Sequence, residues 1–405
     1  MSEFLLKDIT ELIVDCPHST ANDEGKGYPL VRTPNIGKGR LVYNGMHRVS
    51  EEVYNKRNQR AVPQEDDLIF AREATAGNVA LIQKDEKVCL GQRTVLIRPN
   101  KTMVDPAYLT YLLLAPKQQY NLLGTANGAT VAHVNMPTIR NLKIELPELK
   151  VQRRIGSILS RYDSLIENYQ KQIKLLEEAA QRLYKEWFVD LRFPGYENTK
   201  IVDGVPDGWE KKKLEDIFSY VRGRSYTSKE LSDSGTILVN LKNIQAFGGY
   251  KRDAEKRYLG DYKQEQSLEV GDLVMGVTDM TQERRLVGHV ALIPDFKEPA
   301  TFSMDLIKIL PSKLSNSFLY CAMRFGGISK KIAPLANGVN VLHLKPEAMM
   351  GIEMVVPSIE LVTHFDDYVK QSFNTIFHLQ DQIRLLTEAR DRLLPKLMGG
   401  EIIVS

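Results

Sequence analysis

The stretch VQRRIGSILSRYDSLIENYQKQIKLLEEAAQRLYKEWF (residues 151–188) places apolar or nearly apolar side chains at alternating spacings of four and three residues. This spacing is the heptad seam of a coiled coil, and neither Gly nor Pro interrupts it after Gly156. With a rise of about 1.5 Å per residue, it predicts a helix about 55 Å long that needs a partner helix. The predicted seam consists of Ile155, Leu159, Tyr162, Ile166, Tyr169, Ile173, Leu176, Ala180, Leu183 and Trp187.

A second seam follows 210 residues later, where QDQIRLLTEARDRLL (residues 380–394) matches QKQIKLLEEAAQRLY (residues 170–184). We therefore expect two long helices that pair antiparallel as a coiled coil. Ser372 and Arg390 are polar exceptions in the second seam, and they indicate either a point where a partner subunit enters or a frayed seam. The predicted apolar positions are Phe365, Val369, Ile376, Leu379, Ile383, Leu386, Leu393 and Leu397.

The repeat continues outside the helices. LKDI (residues 6–9) recurs as LEDI (residues 214–217) at an offset of 208, and His133 recurs as His343 at an offset of 210. The offset changes only between predicted elements, as loop insertions would cause. We therefore expect an α+β fold of two globular domains that arose by internal duplication, separated by the two long antiparallel helices.

Composition shifts predict the boundaries of these parts. Strand-like LIFA, TVLIRP and LKIELP and a helix start at Asp105-Pro106 lie in the first globular part, and the second part repeats this pattern. A stretch rich in Gly and Pro reads as a connector. The predicted segments are residues 1–147 (first globular domain), 148–190 (central long helix), 191–206 (connector), 207–357 (second globular domain) and 358–405 (C-terminal long helix and tail).

Composition narrows the class of protein. Of 405 residues, 26% are charged and 43% hydrophobic, which is typical of a globular protein of two or more domains. No apolar run approaches the ~18 residues of a membrane span, and the N-terminus lacks a signal-peptide pattern. Cys16, Cys89 and Cys321 lie outside any CxxC, so we expect a cytoplasmic protein without disulfides or a zinc site. A net charge of +3 neither indicates nor excludes a nucleic-acid partner.

The loops differ where the framework repeats. AREATAGN (residues 71–78) corresponds to GVTDMTQERRLVGH (residues 276–289), which is six residues longer. One scaffold with two loop sets predicts two different targets, and a pseudo-two-fold arrangement suits two half-sites on a duplex. Side chains at such tips can read base edges or bind phosphates. The candidate DNA contacts are Arg32, Lys38, Arg40, Arg72, Thr75, Thr130, His133, Arg222, Arg224, Lys242, Lys251, Arg252, Thr278, Arg284, Arg285, Asn340 and His343.

The order of these parts resembles the specificity subunit of type I restriction–modification systems over essentially the whole chain. LLEEAAQRLYKEWFVDLRFPGYE (residues 175–197) is the most specific match, and VPDGWEKKKLEDI (residues 205–217) resembles the start of the family's second target recognition domain. AREATAGNVALI (residues 71–82) and NGATVAHVNMPTIRNLKIELP (residues 127–147) resemble its recurring blocks. One departure is Val277 at the position matching Arg72, so we expect Arg72 to read sequence in its own half only.

The resemblance implies a non-catalytic subunit with two target recognition domains that reads an asymmetric bipartite sequence in double-stranded DNA, one half per domain. It implies that the helices bind two methyltransferase (modification) subunits, which carry S-adenosylmethionine. Restriction/translocase subunits that use ATP and Mg would join the complex. No cofactor and no metal is expected on the chain itself.

Catalytic patterns are sparse in the sequence. It contains no P-loop and no Asn/Asp-Pro-Pro-Tyr/Phe element of amino-methyltransferases. Glu65 and Asp66 with DEK (residues 85–87) could be imagined as nuclease carboxylates, but DEK is more simply a hairpin turn. Two other classes stay open: a structural coiled-coil assembly protein whose globular domains bind proteins, and a self-sufficient modification enzyme.

Overall fold

The computed structural model describes residues 2–124, 133–252 and 254–404. The chain divides into two compact units. Unit 1 comprises Met1–Asn168 with Leu385–Ser405, and unit 2 comprises Tyr169–Arg384. Each long helix therefore contributes one part to each unit, which the sequence segments did not predict. The five predicted segments themselves stay a prediction.

Unit 1 is a mixed α+β structure around an antiparallel sheet of order β2–β8–β5–β6. A smaller sheet has the order β4–β3–β7, in which β3 and β7 run parallel, and β1 pairs with β9. The strands are β1 Ser2–Leu5, β2 Thr10–Asp15, β3 Tyr28–Val31, β4 His47–Val49, β5 Leu68–Ala71, β6 Val79–Leu81, β7 Cys89–Leu90, β8 Thr94–Pro99 and β9 Lys143–Leu146. The helices are α1 Glu51–Arg57, α2 Pro106–Leu114, α3 Pro116–Leu123, α4 Met136–Arg140 and the long α5 Leu149–Tyr184.

Unit 2 has a matching sheet of order β13–β21–β17–β19. A second sheet has the order β14–β16–β15–β20, with β15 and β20 parallel, and β12 pairs with β23. The strands are β10 Ile201–Val202, β11 Val205–Pro206, β12 Glu210–Lys213, β13 Phe218–Arg222, β14 Leu231–Ser232, β15 Thr236–Val239, β16 Lys256–Tyr258, β17 Leu273–Gly276, β18 Thr278–Asp279, β19 Val290–Leu292, β20 Ala300–Phe302, β21 Leu306–Pro311, β22 Leu342–His343 and β23 Glu353–Val356. The helices are α6 Leu214–Ile217, α7 Asn316–Arg324, α8 Ile328–Ile332 and the long α9 Ile359–Met398, and a π-helical turn at Lys185–Val189 follows α5.

The same hydrogen bonds recur at matched positions of the two units. The Arg72 N–H donates to the Arg93 carbonyl (3.0 Å), and the Val277 N–H donates to the Asp305 carbonyl (2.8 Å). The Asn35 side-chain amide donates to a carbonyl seven residues on (3.0 Å), as the Asn243 amide does eight residues on (2.9 Å). Further matched backbone bonds are Leu6 to Leu142 with Leu214 to Ile352, Gly39 to Val79 with Gly249 to Val290, and Gly77 to Ala71 with Gly288 to Gly276.

The predicted seam faces inward, because each of its apolar positions is buried or half-buried. In unit 1, Ile155 and Leu159 near the start of α5 share a core with Leu397 near the end of α9. In unit 2, the later part of α5 packs against the early part of α9, and the Trp187 and Phe365 rings lie 6.0 Å apart. The start of α5 therefore packs with the end of α9, and the later part of α5 packs with the early part of α9.

Arg390 forms a buried ion pair, which neither sequence interpretation, a partner-subunit entry point or a frayed seam, predicted. Its guanidinium lies 2.6 Å from Oδ1 of Asp163, whose side chain is 3% exposed. The Tyr111 hydroxyl donates to Oδ2 of the same carboxylate (2.5 Å). Gly39, at φ +98°, approaches this oxygen so closely that a Cβ would lie 2.5 Å from it. Together these residues fix α2, α5 and α9 inside unit 1.

The interpretation of DEK as a hairpin turn was wrong in one respect. Residues 83–87 do turn, and Asp85 has φ +66°. The flanking strands do not pair with each other, however, because β6 pairs with β5 and β7 pairs with β3. The turn therefore connects two sheets of unit 1.

Candidate nucleic-acid interface

Sequence-distant loops of unit 1 meet at one end of its main sheet. Asp15 at the end of β2 pairs with Val95, and Ala71 at the end of β5 pairs with Thr94. This register brings together residues 15–18, 72–78, 91–93 and His133, which we call the first edge. Loops at strand ends of a rigid sheet are common positions for binding residues.

A hydrogen-bonded ionic network organises the first edge. The Arg72 guanidinium donates to both oxygens of Asp15 (3.0 and 2.9 Å) and to the Val134 carbonyl (2.9 Å). It also donates to Nε2 of His133 (3.2 Å), which leaves Nδ1–H to donate to Glu73 (2.7 Å). Because the Arg72 side chain is only 11% exposed, this geometry suits positioning of His133 better than direct contact with a ligand. Sequence reading by Arg72 stays a prediction.

Three groups at the first edge reach solvent. The His133 and Arg93 side chains are both exposed, and both contact the Glu73 carboxylate, Arg93 at 2.5 Å. His18 is exposed beside Asp15 (3.4 Å). These are hydrogen-bond donors on a carboxylate framework, and such donors can bind guanine acceptors or phosphate oxygens.

The corresponding end of the unit 2 sheet forms the second edge, comprising residues 222–224, 277–288, 303–305 and 337–343. Thr278 is buried and its hydroxyl donates to Oδ1 of Asp305 (3.1 Å). Its backbone pairs with His343 in the short β18–β22 ladder. The Gln282 side chain donates to the Val339 carbonyl (2.9 Å). These bonds hold the loops of the second edge together.

Asp279 organises the longer loop of the second edge. Its carboxylate accepts hydrogen bonds from the Thr281 N–H and hydroxyl (both 2.8 Å), from the Leu286 N–H (2.6 Å) and from the Val287 N–H (3.2 Å). Burial alone would raise the pKa of Asp279, but these hydrogen bonds outweigh it and lower the pKa. The ionised carboxylate therefore fixes the loop that carries Arg284 and Arg285.

The two edges have different chemistry at matched positions. Arg222 in β13 pairs with Ile307, as Asp15 pairs with Val95 in unit 1. An arginine thus replaces Asp15, and Val277 replaces its partner Arg72. Arg222 bonds Glu347 instead (2.7 Å). Hydrogen bonds from Tyr220, from its own backbone amide and from Arg222 lower the pKa of Glu347 to about 2.

Several predicted DNA contacts already bond other residues of their own unit. Arg40 pairs with Glu167 of α5 (3.3 Å), and Arg252 pairs with Asp381 of α9 (3.6 Å), so both anchor a loop to a long helix. Arg32 donates to the Gly45 carbonyl, Thr75 to the Thr33 carbonyl and Arg224 to the Tyr258 hydroxyl. Thr130 lies outside the described residues.

The remaining candidates are more accessible. Arg284, at φ +52°, is half-buried and donates to the Gln282 carbonyl, whereas Arg285 is exposed near Glu283 (3.8 Å). The other exposed candidates are Lys38, Lys242, Lys251, Asn340 and His343.

The sequence interpretation missed the acids that shape both edges. It selected cationic and amide side chains, whereas Asp15, Glu73 and Asp279 hold these groups in place. A sequence signal exists for Asp279, since Asp-x-Thr is a pattern in which the carboxylate caps a turn. Nothing local marks Asp15 as the partner of Arg72, because 57 residues separate them.

Within the parts of the chain that the structure describes, no cluster of His, Cys, Asp or Glu could hold a metal ion. Over the same residues, none of the helices combines the length and apolarity that a membrane span requires. Cys16, Cys89 and Cys321 are buried free thiols.

Comparison with known proteins shows which family the chain is similar to. Residues 1–178 match the family model described as the type I restriction modification DNA specificity domain. The type I restriction enzyme MjaIX specificity subunit of Methanocaldococcus jannaschii is 26% identical, with 98% of this chain and 93% of that protein aligned. The HindI specificity subunit of Haemophilus influenzae is 22% identical, with coverages of 85% and 88%.

A solved structure has the same fold. The crystal structure of the type I restriction–modification S subunit from M. genitalium aligns with a TM-score of 0.59 at 15% identity. The alignment covers 98% of this chain and 95% of that one. The mixed α+β architecture with a long central helix is therefore shared with an S subunit.

Proposed function

Because the chain belongs to the specificity subunits of type I restriction–modification systems, we propose that it is the DNA-recognition subunit of such a system. It reads an asymmetric bipartite target in double-stranded DNA, with one half-site bound by each edge. The chain is non-catalytic, since the catalytic activities of this family lie in partner subunits.

The observation that carries the proposal is the pair of edges on one repeated framework. Matched backbone bonds place Arg72 and Val277 identically within their units, yet the side chains around them differ in charge and polarity. A duplicated domain that kept its framework and changed its loops would read two unrelated half-sites. DNA bases are distinguished by hydrogen bonds and apolar contacts, which are the properties that differ between the edges.

The two long helices serve as the spacer in this proposal. We propose that they pair antiparallel as a coiled coil and so hold the two target recognition domains a fixed distance apart. Support comes from the packing inside each unit. The start of α5 packs with the end of α9 in unit 1, and the later part of α5 packs with the early part of α9 in unit 2. A helix of 36 residues, as α5 is, extends about 54 Å, which exceeds one helical turn of DNA (~34 Å).

The partners follow from the family. The chain assembles with two modification subunits, which supply S-adenosylmethionine, and with restriction subunits, which supply ATP and Mg. The helices offer apolar side chains for such contacts, since Leu165, Leu175 and Tyr368 are exposed on their surfaces.

The experiment maps methylated adenines in DNA from cells that express the chain with its modification subunits. We expect one bipartite asymmetric motif, methylated only when the chain is present. The purified complex should bind a duplex carrying that motif more tightly than a scrambled duplex, and affinity should fall steeply with salt. Methylation by the chain alone, or no motif at all, would contradict the proposal.

A heptad insertion tests the spacer. The variant carries seven extra residues between Asn168 and Tyr169 and seven between Arg384 and Leu385, the two places where the units divide. Seven residues are one heptad, so the seam stays in register. They lengthen the helices by about 10 Å, so the spacer of the motif should grow by about three base pairs. Insertion in α5 alone is the control, and it should abolish specific binding. An unchanged spacer would show that the helices do not set the distance.

A further inference from the structure

Three large apolar side chains are exposed together at the second edge. Met280 is 77% exposed, Met304 58% and Val339 88%. Single exposed apolar residues are ordinary on protein surfaces, but several in loops that hydrogen bonds join, as Thr278 bonds Asp305 and Gln282 bonds Val339, indicate a binding surface. These three come from the loop after β18, the turn between β20 and β21, and the loop before β22.

The backbone around each of these side chains is fixed. Met280 lies between Asp279 and Thr281, and the buried Asp279 carboxylate accepts hydrogen bonds from the Thr281 and Leu286 N–H groups. The Met304 N–H donates to the Arg224 carbonyl (2.8 Å), and the Val339 carbonyl accepts from Gln282 (2.9 Å). A surface ordered before binding loses little conformational entropy on contact, which favours recognition.

The first edge has no large exposed apolar side chain among its described residues, where the exposed side chains are His18, Ala74, Arg93 and His133. Gln92 occupies the position that corresponds to Met304, because Thr94 and Leu306 have equivalent pairing in their sheets. Among the residues that the structure describes, the apolar surface is therefore specific to the second edge.

Building on the proposed function, we propose that the second edge recognises thymine through its C5-methyl group in the major groove. Thymine alone among the four bases presents a methyl group there, and apolar side chains are the natural contact for it. Arg285 is exposed in the same loop as Met280, where it would neutralise a phosphate beside the contacted base. The half-site bound by the second edge thus contains thymine at a contacted position.

The test replaces thymidine by 2′-deoxyuridine, which removes only the methyl group. Once the motif is mapped, each thymidine is replaced singly in a duplex, and binding by the full complex is measured. In the half-site that changes when residues 207–357 are exchanged, at least one replacement should weaken binding about fourfold, the value expected for one buried methyl group.

Protein variants assign the effect to the surface. The triple variant Met280→Ala, Met304→Ala, Val339→Ala should bind thymidine and deoxyuridine duplexes equally. The control Val270→Ala removes an exposed apolar side chain at the opposite end of β17 and should keep the fourfold preference. Circular dichroism should show unchanged melting for both variants, because all four side chains are exposed.

Three results would overturn the inference while leaving the proposed function intact. They are a second half-site without thymine, tolerance of deoxyuridine at every position, and loss of modification-subunit binding in the triple variant with its base preference retained. The last would make the surface a protein-docking site. Absence of any sequence-specific binding by the wild-type complex would instead contradict the proposed function itself.

Discussion

The first and second edges share a backbone and differ in what they present to a ligand. In unit 1, Asp15 and Arg72 form an ion pair that orients His133, and the large exposed side chains are His18, Arg93 and His133. In unit 2, Arg222 and Val277 occupy the same positions, and the exposed side chains include the apolar Met280, Met304 and Val339. The framework is therefore maintained by backbone bonds, so side chains at its edge can change without loss of the fold.

The long helices show the same contrast. Asp163 in α5 bonds Tyr111 and Arg390, whereas Phe373, the residue 210 positions later, packs edge-on against Tyr320 at 5.2 Å. At this pair of matched helix positions, unit 1 has a buried ionic group and unit 2 has packed aromatic rings. Equivalent positions therefore keep their role in packing while the chemistry of their side chains diverges. Four substitutions test this comparison, in order of decreasing expected effect.

Asp163→Ala should have the largest effect, because it leaves the Arg390 guanidinium buried without its main counter-charge. We expect the free energy of unfolding of unit 1 to fall by about 3–5 kcal/mol. Urea denaturation followed by circular dichroism measures this. Asp391→Ala is the matched control, since it removes an exposed carboxylate from the same arginine and should cost less than about 1 kcal/mol. Equal effects of the two substitutions would contradict a buried ionic junction.

Arg72→Ala should destabilise the first edge by up to about 3 kcal/mol, because Asp15 and His133 lose a charged donor. Discrimination at the first half-site should fall, whereas discrimination at the second half-site should be unchanged. Competition binding with single-base variants of the motif measures both. Loss of discrimination in both halves would break the comparison, because the edges would then not act independently.

Asp279→Asn should destabilise the second edge by about 1–2 kcal/mol at neutral pH, since an amide replaces the charged acceptor. The pKa of Asp279 is lowered in the folded state, so its contribution is complete above the unfolded pKa of about 3.9. The contribution disappears as pH falls through the lower folded value. Urea unfolding at several pH values should therefore give a higher free energy of unfolding for wild type than for the variant above about pH 4. Below that pH the two free energies should converge. A constant difference would indicate that the charge is not involved.

Arg93→Ala should have the smallest effect on stability, because the side chain is exposed and its ion pair with Glu73 contributes little. If Arg93 neutralises a phosphate, binding should weaken equally for all sequences, and the slope of log affinity against log salt should decrease by about 0.9. A change confined to one base position would indicate that Arg93 reads sequence instead.

Heptad spacing and repeated motifs were enough to predict the long helices, the mixed α+β architecture and the family resemblance. Local signals such as Asp105-Pro106 also marked element starts, and the Asp105 carboxylate accepts from the Tyr108 N–H (2.9 Å). The contacts of the candidate site were harder to predict from the sequence, because the role of an arginine depends on partners far away in the chain. Arg40 and Arg252 carry the charge expected of DNA contacts, yet each pairs with an acid on a long helix.

The most direct test of the central claim exchanges residues 1–147 for the corresponding block of a related specificity subunit. Methylated adenines are then mapped in cells that express the hybrid with its modification subunits. Two reading edges on one repeated framework predict that one half of the motif changes while the other half and the spacer stay the same. A hybrid that alters both halves, or neither, would contradict the claim.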